Sequence, residues 1–285
     1  EISFQEEAYD LSLIACMEFS THTLRFSYSS MTTPLEVYDY DMDARTRVLR
    51  KKQEVPSGHE PANYVTKRLM AEAHDGELIP VSILYKVNTK INGSSPLLLY
   101  GYGSYGFSVP ASFSPNRLSL VDRGYIYAIA HIRGGTEKGY GWYLNGKLDK
   151  KINTFHDFIS AAEMLIKEKY TSPGKIAIHG GSAGGLLIGA CTNMRPELWG
   201  AAVGEVPFVD VLTTILDASL PLTPPEWPEW GNPVDDKTAF NYIRSYSPID
   251  NISKQSYPWI LATGGISDPR VTYWEPAKWV ARLRA

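Results

Sequence analysis

Alternating polar and apolar residues near the start of the chain predict short β-strands. Residues 24–28, 35–40 and 46–50 alternate with a period of two, and turn-forming residues separate them at 32–34 and 41–44. Strands with one polar face are typical of an antiparallel ribbon, which cannot bury a core by itself. We therefore expect these strands to pack against further β-structure.

The pattern changes after a segment rich in Pro, Gly and His at 56–61. A hairpin is predicted around the Asp75-Gly76 dipeptide, because Asp-Gly favours a tight turn. Beyond it, continuous apolar runs alternate with helical periodicity, which predicts a mostly parallel sheet with helices on both faces in an α/β fold. The predicted strands are 65–73, 78–86, 96–101, 125–131, 175–179, 201–206 and 259–263, and the predicted helices are 154–169, 182–194, 237–246 and 274–284.

The predicted helix 154–169 begins with an N-terminal capping pattern. Thr154 and Asp157 have the Ser/Thr-x-x-acid spacing of a capping box, in which each side chain bonds to a backbone N–H of the first turn. We therefore expect the helix to begin at Thr154.

Composition narrows the function classes. The chain has 285 residues and a formal net charge of −3, which argues against nucleic acid as a partner. No apolar run approaches the roughly 18 residues of a membrane helix, and four acidic residues within positions 1–10 are unlike a secretory signal. Cys16 and Cys191 form no disulfide framework, so we expect a reducing cytoplasm. No metal or dinucleotide motif occurs, and we expect no cofactor.

The segment from His179 to Gly185 contains the most informative motif. It reads Gly-x-Ser-x-Gly from Gly180 to Gly184 and lies between a predicted strand and a predicted helix. Strand, sharp turn and helix are the context of a nucleophile elbow, so we predict that Ser182 is a catalytic nucleophile and that the Ala183 N–H helps to bind an oxyanion. The alternative is a glycine-rich phosphate-binding turn, although the Lys-Ser/Thr pair of a P-loop is missing.

A serine nucleophile also needs an acid and a base. In α/β-hydrolases the order along the chain is Ser, acid, His, and Asp268 lies in the loop after the predicted strand 259–263. We predict that Asp268 is the acid; the alternative is that it caps a helix near Thr272. All six histidines precede Asp268. His179 is near Ser182 in sequence, but its place on a strand directs it beside the sheet, so we expect the base to follow residue 285.

A second oxyanion donor is expected from the loop after an early strand. The sequence Tyr-Gly-Tyr-Gly-Ser-Tyr-Gly at 100–106 supplies tyrosine hydroxyls on a glycine-rich loop there. Together with Arg133-Gly134-Gly135, the elbow at 180–185 and Asp268-Pro269-Arg270-Val271, this loop resembles the prolyl oligopeptidase family. The segments 206–210 and 229–233 narrow the resemblance to its oligopeptidase B branch.

The resemblance implies a domain organisation and further site residues. Members of the family join an α/β-hydrolase domain to a β-propeller that limits access to short peptides. Residues 1–60 are similar to the last part of that propeller plus a linker, and 61–285 to the catalytic domain without its histidine segment, so we expect truncation at both ends. The resemblance also implies Tyr102 as an oxyanion donor and Arg270 as a ligand for a substrate carbonyl.

Two carboxylates bear on substrate choice. By the resemblance, Glu226 occupies the main pocket position that accepts Arg or Lys, while Pro228 stands where relatives carry a second acid, with Glu229 beside it. We therefore expect cleavage of short peptides after Arg or Lys, with Glu226 and Glu229 binding substrate. A solvated loop glutamate is the alternative for Glu226. A proline-specific or acylaminoacyl peptidase, and a catalytically incomplete fragment, are the alternative functions.

Overall fold

The computed structural model describes residues 2–285, which contain eleven strands and eight α-helices. The strands are β1 (Tyr9–Leu13), β2 (Thr23–Ser30), β3 (Glu36–Asp41), β4 (Thr46–Lys52), β5 (Tyr64–Glu72), β6 (Leu78–Lys86), β7 (Leu97–Tyr100), β8 (Ile126–Ala130), β9 (Ile176–Gly181), β10 (Trp199–Glu205) and β11 (Trp259–Thr263). The helices are α1 (Pro115–Val121), α2 (Tyr140–Leu144), α3 (Ile152–Lys167), α4 (Ala183–Met194), α5 (Val211–Leu216), α6 (Thr223–Trp230), α7 (Lys237–Tyr246) and α8 (Trp274–Arg284).

Contacts within the chain divide it into two compact units. The first comprises Glu1–Leu69, Ser82–Thr89 and Pro110–Tyr127, and the second comprises Met70–Val81, Lys90–Val109 and Ala128–Ala285. Each is described by itself below.

The first unit contains a four-stranded antiparallel sheet in the order β1-β2-β3-β4. Three of these strands were predicted from their alternation, whereas β1 was not. Phe26 and Tyr28 on β2 are buried, and the Phe4 ring stacks on Tyr28 with 3.7 Å between centroids. The apolar face of the ribbon is therefore covered by aromatic rings from its own unit.

Parallel strands organise the second unit. β7, β9, β10 and β11 pair in parallel, with Leu99 opposite Ile178, Ile178 opposite Ala202, and Ala202 opposite Ile260. The complete seven-stranded sheet has the order β11-β10-β9-β7-β8-β6-β5. All seven strands were predicted, and the turn between β5 and β6 is closed by a hydrogen bond from the Ala73 N–H to the Glu77 carbonyl oxygen.

Two buried helices support the central strands. α3 presents an apolar stripe at helical spacing, and α4 is buried along nearly its whole length because its residues are small or aliphatic. The Cys191 thiol on α4 is fully buried and faces the Phe155 carbonyl oxygen, whereas Cys16 in the first unit is exposed.

The predicted capping box is wrong. α3 begins at Ile152, and the Thr154 hydroxyl donates to the carbonyl oxygens of Arg133 and Gly146. The Asp157 carboxylate, which is fully buried, accepts from the backbone N–H, Nε and NH2 of Arg133. Both side chains therefore bond to Arg133 and not to the start of the helix. For Asp157 the reason is that a buried guanidinium is costly unless a carboxylate pairs with it.

No helix within residues 2–285 combines the length and the apolar composition that a membrane crossing requires.

The packing behind α4 predicts that Gly185→Ala will destabilise the protein. A Cβ at residue 185 would lie 2.4 Å from the Pro207 Cα, a backbone atom that cannot move without shifting the chain. We expect a loss of about 1–3 kcal/mol in the free energy of unfolding, measured by denaturant titration of the protein carrying this chain. Gly141→Ala on α2 is the control, because nothing lies within 4 Å of its Cβ position. Equal stability of the two variants would contradict the prediction.

Candidate functional site

A strained turn places Ser182 between β9 and α4. The Ser182 backbone has φ 55° and ψ −118°, a conformation that is unfavourable for a residue with a side chain. The two glycines of the motif lie where the chain is crowded: a Cβ on Gly180 would be 2.4 Å from the Gly184 carbonyl oxygen, and a Cβ on Gly184 would be 3.0 Å from the Gly101 carbonyl oxygen. The Gly-x-Ser-x-Gly pattern therefore follows from how closely the strand and the helix approach each other at the turn.

Ser182 opens onto a cavity of about 410 Å³. Five of the seven predicted site residues line it, and aromatic, aliphatic and hydroxyl side chains complete its wall. The lining residues are Tyr102, Tyr105, Ser182, Ala183, Phe208, Thr214, Ile215, Leu220, Pro221, Leu222, Thr223, Glu226, Pro269, Arg270, Val271 and Thr272.

Two hydrogen-bond donors adjoin the serine on the cavity wall. Ala183 is the first residue of α4, so its N–H has no partner one turn earlier in the helix. Tyr102 contributes a phenol, and burial, together with Tyr100 and the two glutamates Glu226 and Glu229, raises its pKa. The hydroxyl therefore stays protonated at neutral pH and can donate a hydrogen bond.

Asp268 lies in the loop that follows β11, as predicted. Its Oδ1 accepts from the N–H groups of Arg270 at 2.8 Å and Val271 at 3.1 Å. These bonds fix the carboxylate within the loop. The alternative role as a helix cap is wrong, because α8 begins at Trp274 and its N-cap residue is Tyr273. Asp268 itself is not one of the cavity-lining residues, whereas Arg270 is.

Among the described residues, those that line the cavity include no histidine. His179 lies on β9, its ring 5.3 Å from that of Tyr100, and its Nε2 is 3.4 Å from Glu205 Oε1. It therefore belongs to a cluster with Tyr100 and Glu205, in agreement with the expectation that it lies beside the sheet.

Glu226 presents a carboxylate to the cavity from α6. Its Oε2 accepts from the Tyr105 hydroxyl and from the Trp230 Nε1, each at 2.7 Å. Both described donors bond to Oε2, so Oε1 is the oxygen available to a ligand. The Trp230 ring also packs edge-on against Tyr105, with 5.7 Å between centroids. Glu226 is thus an oriented carboxylate rather than a solvated loop residue.

Glu229 takes a different position although it is only three residues away on the same helix. It is 5 % exposed and does not line the cavity. Its Oε1 accepts from the Tyr105 N–H at 2.9 Å and its Oε2 from the Tyr143 hydroxyl at 2.6 Å, while Lys147 Nζ lies 3.8 Å from Oε2. The expected direct contact of Glu229 with substrate is therefore not supported by its geometry; its carboxylate holds Tyr105 in place.

The family is decided by comparison with known proteins. The model of the prolyl oligopeptidase family matches residues 111–285. This chain belongs to the prolyl oligopeptidase family. It is 48% identical over 284 residues to dipeptidyl aminopeptidase BI of Pseudoxanthomonas mexicana, covering 99% of this chain and 39% of that protein. It is 44% identical over 285 residues to protease 2 of Moraxella lacunata, covering 100% of this chain and 41% of that protein.

Solved structures agree with the family assignment. Oligopeptidase B from Leishmania major superimposes with a TM-score of 0.94 at 47% identity, covering 99% of this chain and 39% of that one. Oligopeptidase B from Trypanosoma brucei gives the same TM-score and identity and is covered to 40%. The parallel sheet with its helices is therefore the α/β-hydrolase fold of this family, as expected, and the chain spans about two fifths of the length of these relatives.

Sequence reasoning missed three contributors to the prolyl oligopeptidase site. Tyr105 was read only as one tyrosine of a glycine-rich loop, yet its hydroxyl bonds to Glu226 and its N–H to Glu229. Tyr143 and Trp230 hold the two glutamates from outside the cavity wall. A local signal existed only for Trp230, which lies four residues after Glu226, but it depends on α6, a helix that the sequence did not predict.

The buried Glu229 predicts that Tyr143→Phe will destabilise the protein. The substitution removes the hydroxyl that donates to Glu229 Oε2 and leaves the buried carboxylate with a weaker set of partners. We expect a loss of about 1–3 kcal/mol in the free energy of unfolding. Tyr140→Phe is the matched control on the same helix, because Tyr140 is 68% exposed. A Tyr143→Phe variant as stable as this control would show that Glu229 does not depend on the hydroxyl.

Proposed function

We propose that this chain carries the catalytic centre of a serine oligopeptidase that cleaves short peptides after Arg or Lys. The observation that carries the proposal is a single cavity with Ser182 on its wall and the oriented carboxylate of Glu226 also on its wall. A nucleophile and a recognition group that share one cavity can act on the same peptide. Membership of the prolyl oligopeptidase family supports the same chemistry.

The proposed reaction follows from the placement of the donors. The Ser182 hydroxyl attacks the scissile carbonyl carbon, and its proton passes to a histidine base that the cavity-lining residues do not supply. Asp268 orients that base. The carbonyl oxygen gains negative charge and receives hydrogen bonds from the Ala183 N–H and the Tyr102 hydroxyl, which stabilise the transition state more than the substrate. The C–N bond then breaks as the base gives its proton to the leaving amine, and water hydrolyses the acyl-enzyme at Ser182 by the same route. Arg270, on the same wall, holds a peptide carbonyl of the substrate.

Preference for Arg or Lys is argued from Glu226 and its surroundings. A carboxylate that keeps Oε1 toward the cavity can pair with a guanidinium or an ammonium through charge-assisted hydrogen bonds. The aliphatic wall at Ile215, Leu220 and Leu222 suits the methylene stem of such a side chain. The Trypanosoma brucei oligopeptidase B similar to this chain is described with covalently bound antipain in its closed form, which is in keeping with a nucleophile in such proteins that can form a covalent bond to a ligand.

We propose the same division of the chain as the sequence indicated, with a propeller portion and linker at 1–60 and the hydrolase domain at 61–285. The antiparallel sheet β1–β4 supports the first part, since propeller blades are four-stranded sheets. Two unpaired cysteines, Cys16 and Cys191, support a cytoplasmic location.

A dipeptidyl peptidase is the second candidate function. The 48% identity to a protein named dipeptidyl aminopeptidase BI favours it. Mass spectrometry of the products from a peptide with one internal arginine separates the two: an oligopeptidase cuts after the arginine at any position, whereas a dipeptidyl peptidase releases residues in pairs from the N-terminus. A proline-specific or acylaminoacyl preference would appear in the same assay as cleavage that ignores arginine.

Ser182→Ala should abolish peptide hydrolysis in the protein carrying this chain. Losing the nucleophile should lower kcat by several orders of magnitude, while peptide binding and the melting temperature stay close to wild type. Ser245→Ala on α7 is the control, because the Ser245 hydroxyl is exposed and bonds only to a backbone carbonyl of its own helix. Residual activity within about tenfold of wild type would exclude Ser182 as the nucleophile.

Glu226→Gln should impair hydrolysis after Arg and Lys selectively. The substitution keeps the shape and removes the charge, so kcat/KM for an arginyl substrate should fall roughly tenfold to a hundredfold, with a much smaller fall for a neutral substrate. Glu229→Gln should lower kcat/KM for the arginyl and the neutral substrate by similar factors, because Glu229 acts by holding Tyr105. Glu168→Gln, an exposed change at the end of α3, is the control. Equal losses on the two substrates for Glu226→Gln would refute a direct role in recognising the basic side chain.

A further inference from the structure

Lys151 carries a buried amino group that the proposed reaction does not use. It is 1% exposed and lies at the end of the short 3-10 helix Leu148–Lys150, immediately before α3. Its Nζ donates to the Gly103 carbonyl oxygen at 2.6 Å and to the Ser104 hydroxyl at 2.8 Å. The same Nζ lies 5.1 Å from the centroid of the Trp230 ring, within range of a cation–π interaction.

The two acceptors of Lys151 lie between the two tyrosines of the cavity wall. Tyr102 precedes Gly103, and Tyr105 follows Ser104. Tyr105 has a positive φ angle of 59°, which costs free energy for a residue with a side chain, whereas Gly103 adopts its φ of 74° without strain. A lysine that bonds to both intervening residues restrains the backbone directly after Tyr102, whereas Tyr105 is held separately by Glu229 and Glu226.

Burying an ionisable amino group at this position costs free energy of desolvation, so packing alone does not explain why a lysine is found here. Burial lowers the pKa of Lys151 to about 7, and the charge of Glu229 acts in the opposite direction. An apolar side chain of similar length would fill the same space without desolvating an ammonium group. The hydrogen bonds to Gly103 and Ser104 are what such a side chain could not supply.

We propose that Lys151 is a positioning residue for catalysis, which fixes the backbone between Tyr102 and Tyr105 and thereby keeps the Tyr102 hydroxyl at the developing oxyanion. The inference rests on the proposed function, in which Tyr102 donates to the oxyanion. Lys151 touches no reacting atom and acts through Tyr102, so its removal should affect the chemical step more than substrate binding.

Lys151→Met tests the proposal in the protein carrying this chain. With enzyme concentration set by active-site titration with a serine-directed phosphonate, kcat for a peptide amide should fall roughly tenfold to a hundredfold and KM should change by less than about threefold. In a Tyr102→Phe background, Lys151→Met should lower kcat little further, because the hydroxyl that Lys151 positions is already absent. Lys150→Met is the matched control, since Lys150 is exposed and bonds only to Asn145.

Ser104→Ala gives a second test if Lys151→Met does not fold. It removes one acceptor and keeps the lysine, so kcat should fall by about threefold to tenfold, again with no further loss in the Tyr102→Phe background. Unchanged kcat, or losses that multiply fully with that of Tyr102→Phe, would overturn the inference. A wild-type enzyme that the phosphonate does not label would instead overturn the proposed function. An enzyme that is labelled at Ser182 but indifferent to Lys151 would leave the proposed function intact.

Discussion

Ser182 is held in a backbone conformation that costs free energy, and the residues around it have to supply that free energy. The Ser182 N–H donates to the Glu205 carbonyl oxygen at the end of β10, and the Ser182 carbonyl oxygen accepts from the N–H groups of Gly185 and Phe208. These bonds tie the turn to the next strand of the sheet and to the loop after it. The position of the Ser182 side chain is therefore set by the hydrogen bonds of its backbone to the sheet and the following loop.

On the Glu226 side of the cavity, one residue likewise holds two others in place. Glu226 and Glu229 lie on one short helix, yet one faces the cavity and the other faces the protein interior. Tyr105 joins them, since its hydroxyl bonds to the first and its N–H to the second. Orientation of the Glu226 carboxylate, which faces the cavity, thus depends on the buried Glu229 carboxylate, which does not line it. A substitution at either position affects the loop that also carries Tyr102.

The strands of the seven-stranded sheet and the elbow were predictable because their signals are local. Apolar runs such as 175–179, together with the glycine spacing around Ser182, hold within about ten residues of sequence and follow directly from strand and turn geometry. α6 was missed because its sequence contains Pro224, Pro225 and Pro228, and proline normally ends helices; the first two lie in the first turn, where the missing N–H costs nothing.

Hydrogen bonds and ion pairs between residues distant in sequence could not be predicted from local patterns. Asp157 pairs with Arg133, and Glu229 meets the Tyr105 N–H, across separations that no spacing rule covers. A local spacing rule instead assigned Asp157 to a capping box, and the family resemblance placed Glu229 beside the substrate. Both errors concern buried carboxylates, whose partners are selected by the cost of desolvation and not by position along the chain.

The two cysteines differ in a way that has a practical use. Burial inside α4 raises the pKa of the Cys191 thiol, so the folded protein withholds it from alkylating reagents, which need the thiolate. Cys16, in the other unit, is open to solvent. Within this chain, a maleimide dye would therefore attach at one defined place, which is far in sequence from Ser182. The chain thus offers one accessible thiol for a spectroscopic label, without any engineered cysteine.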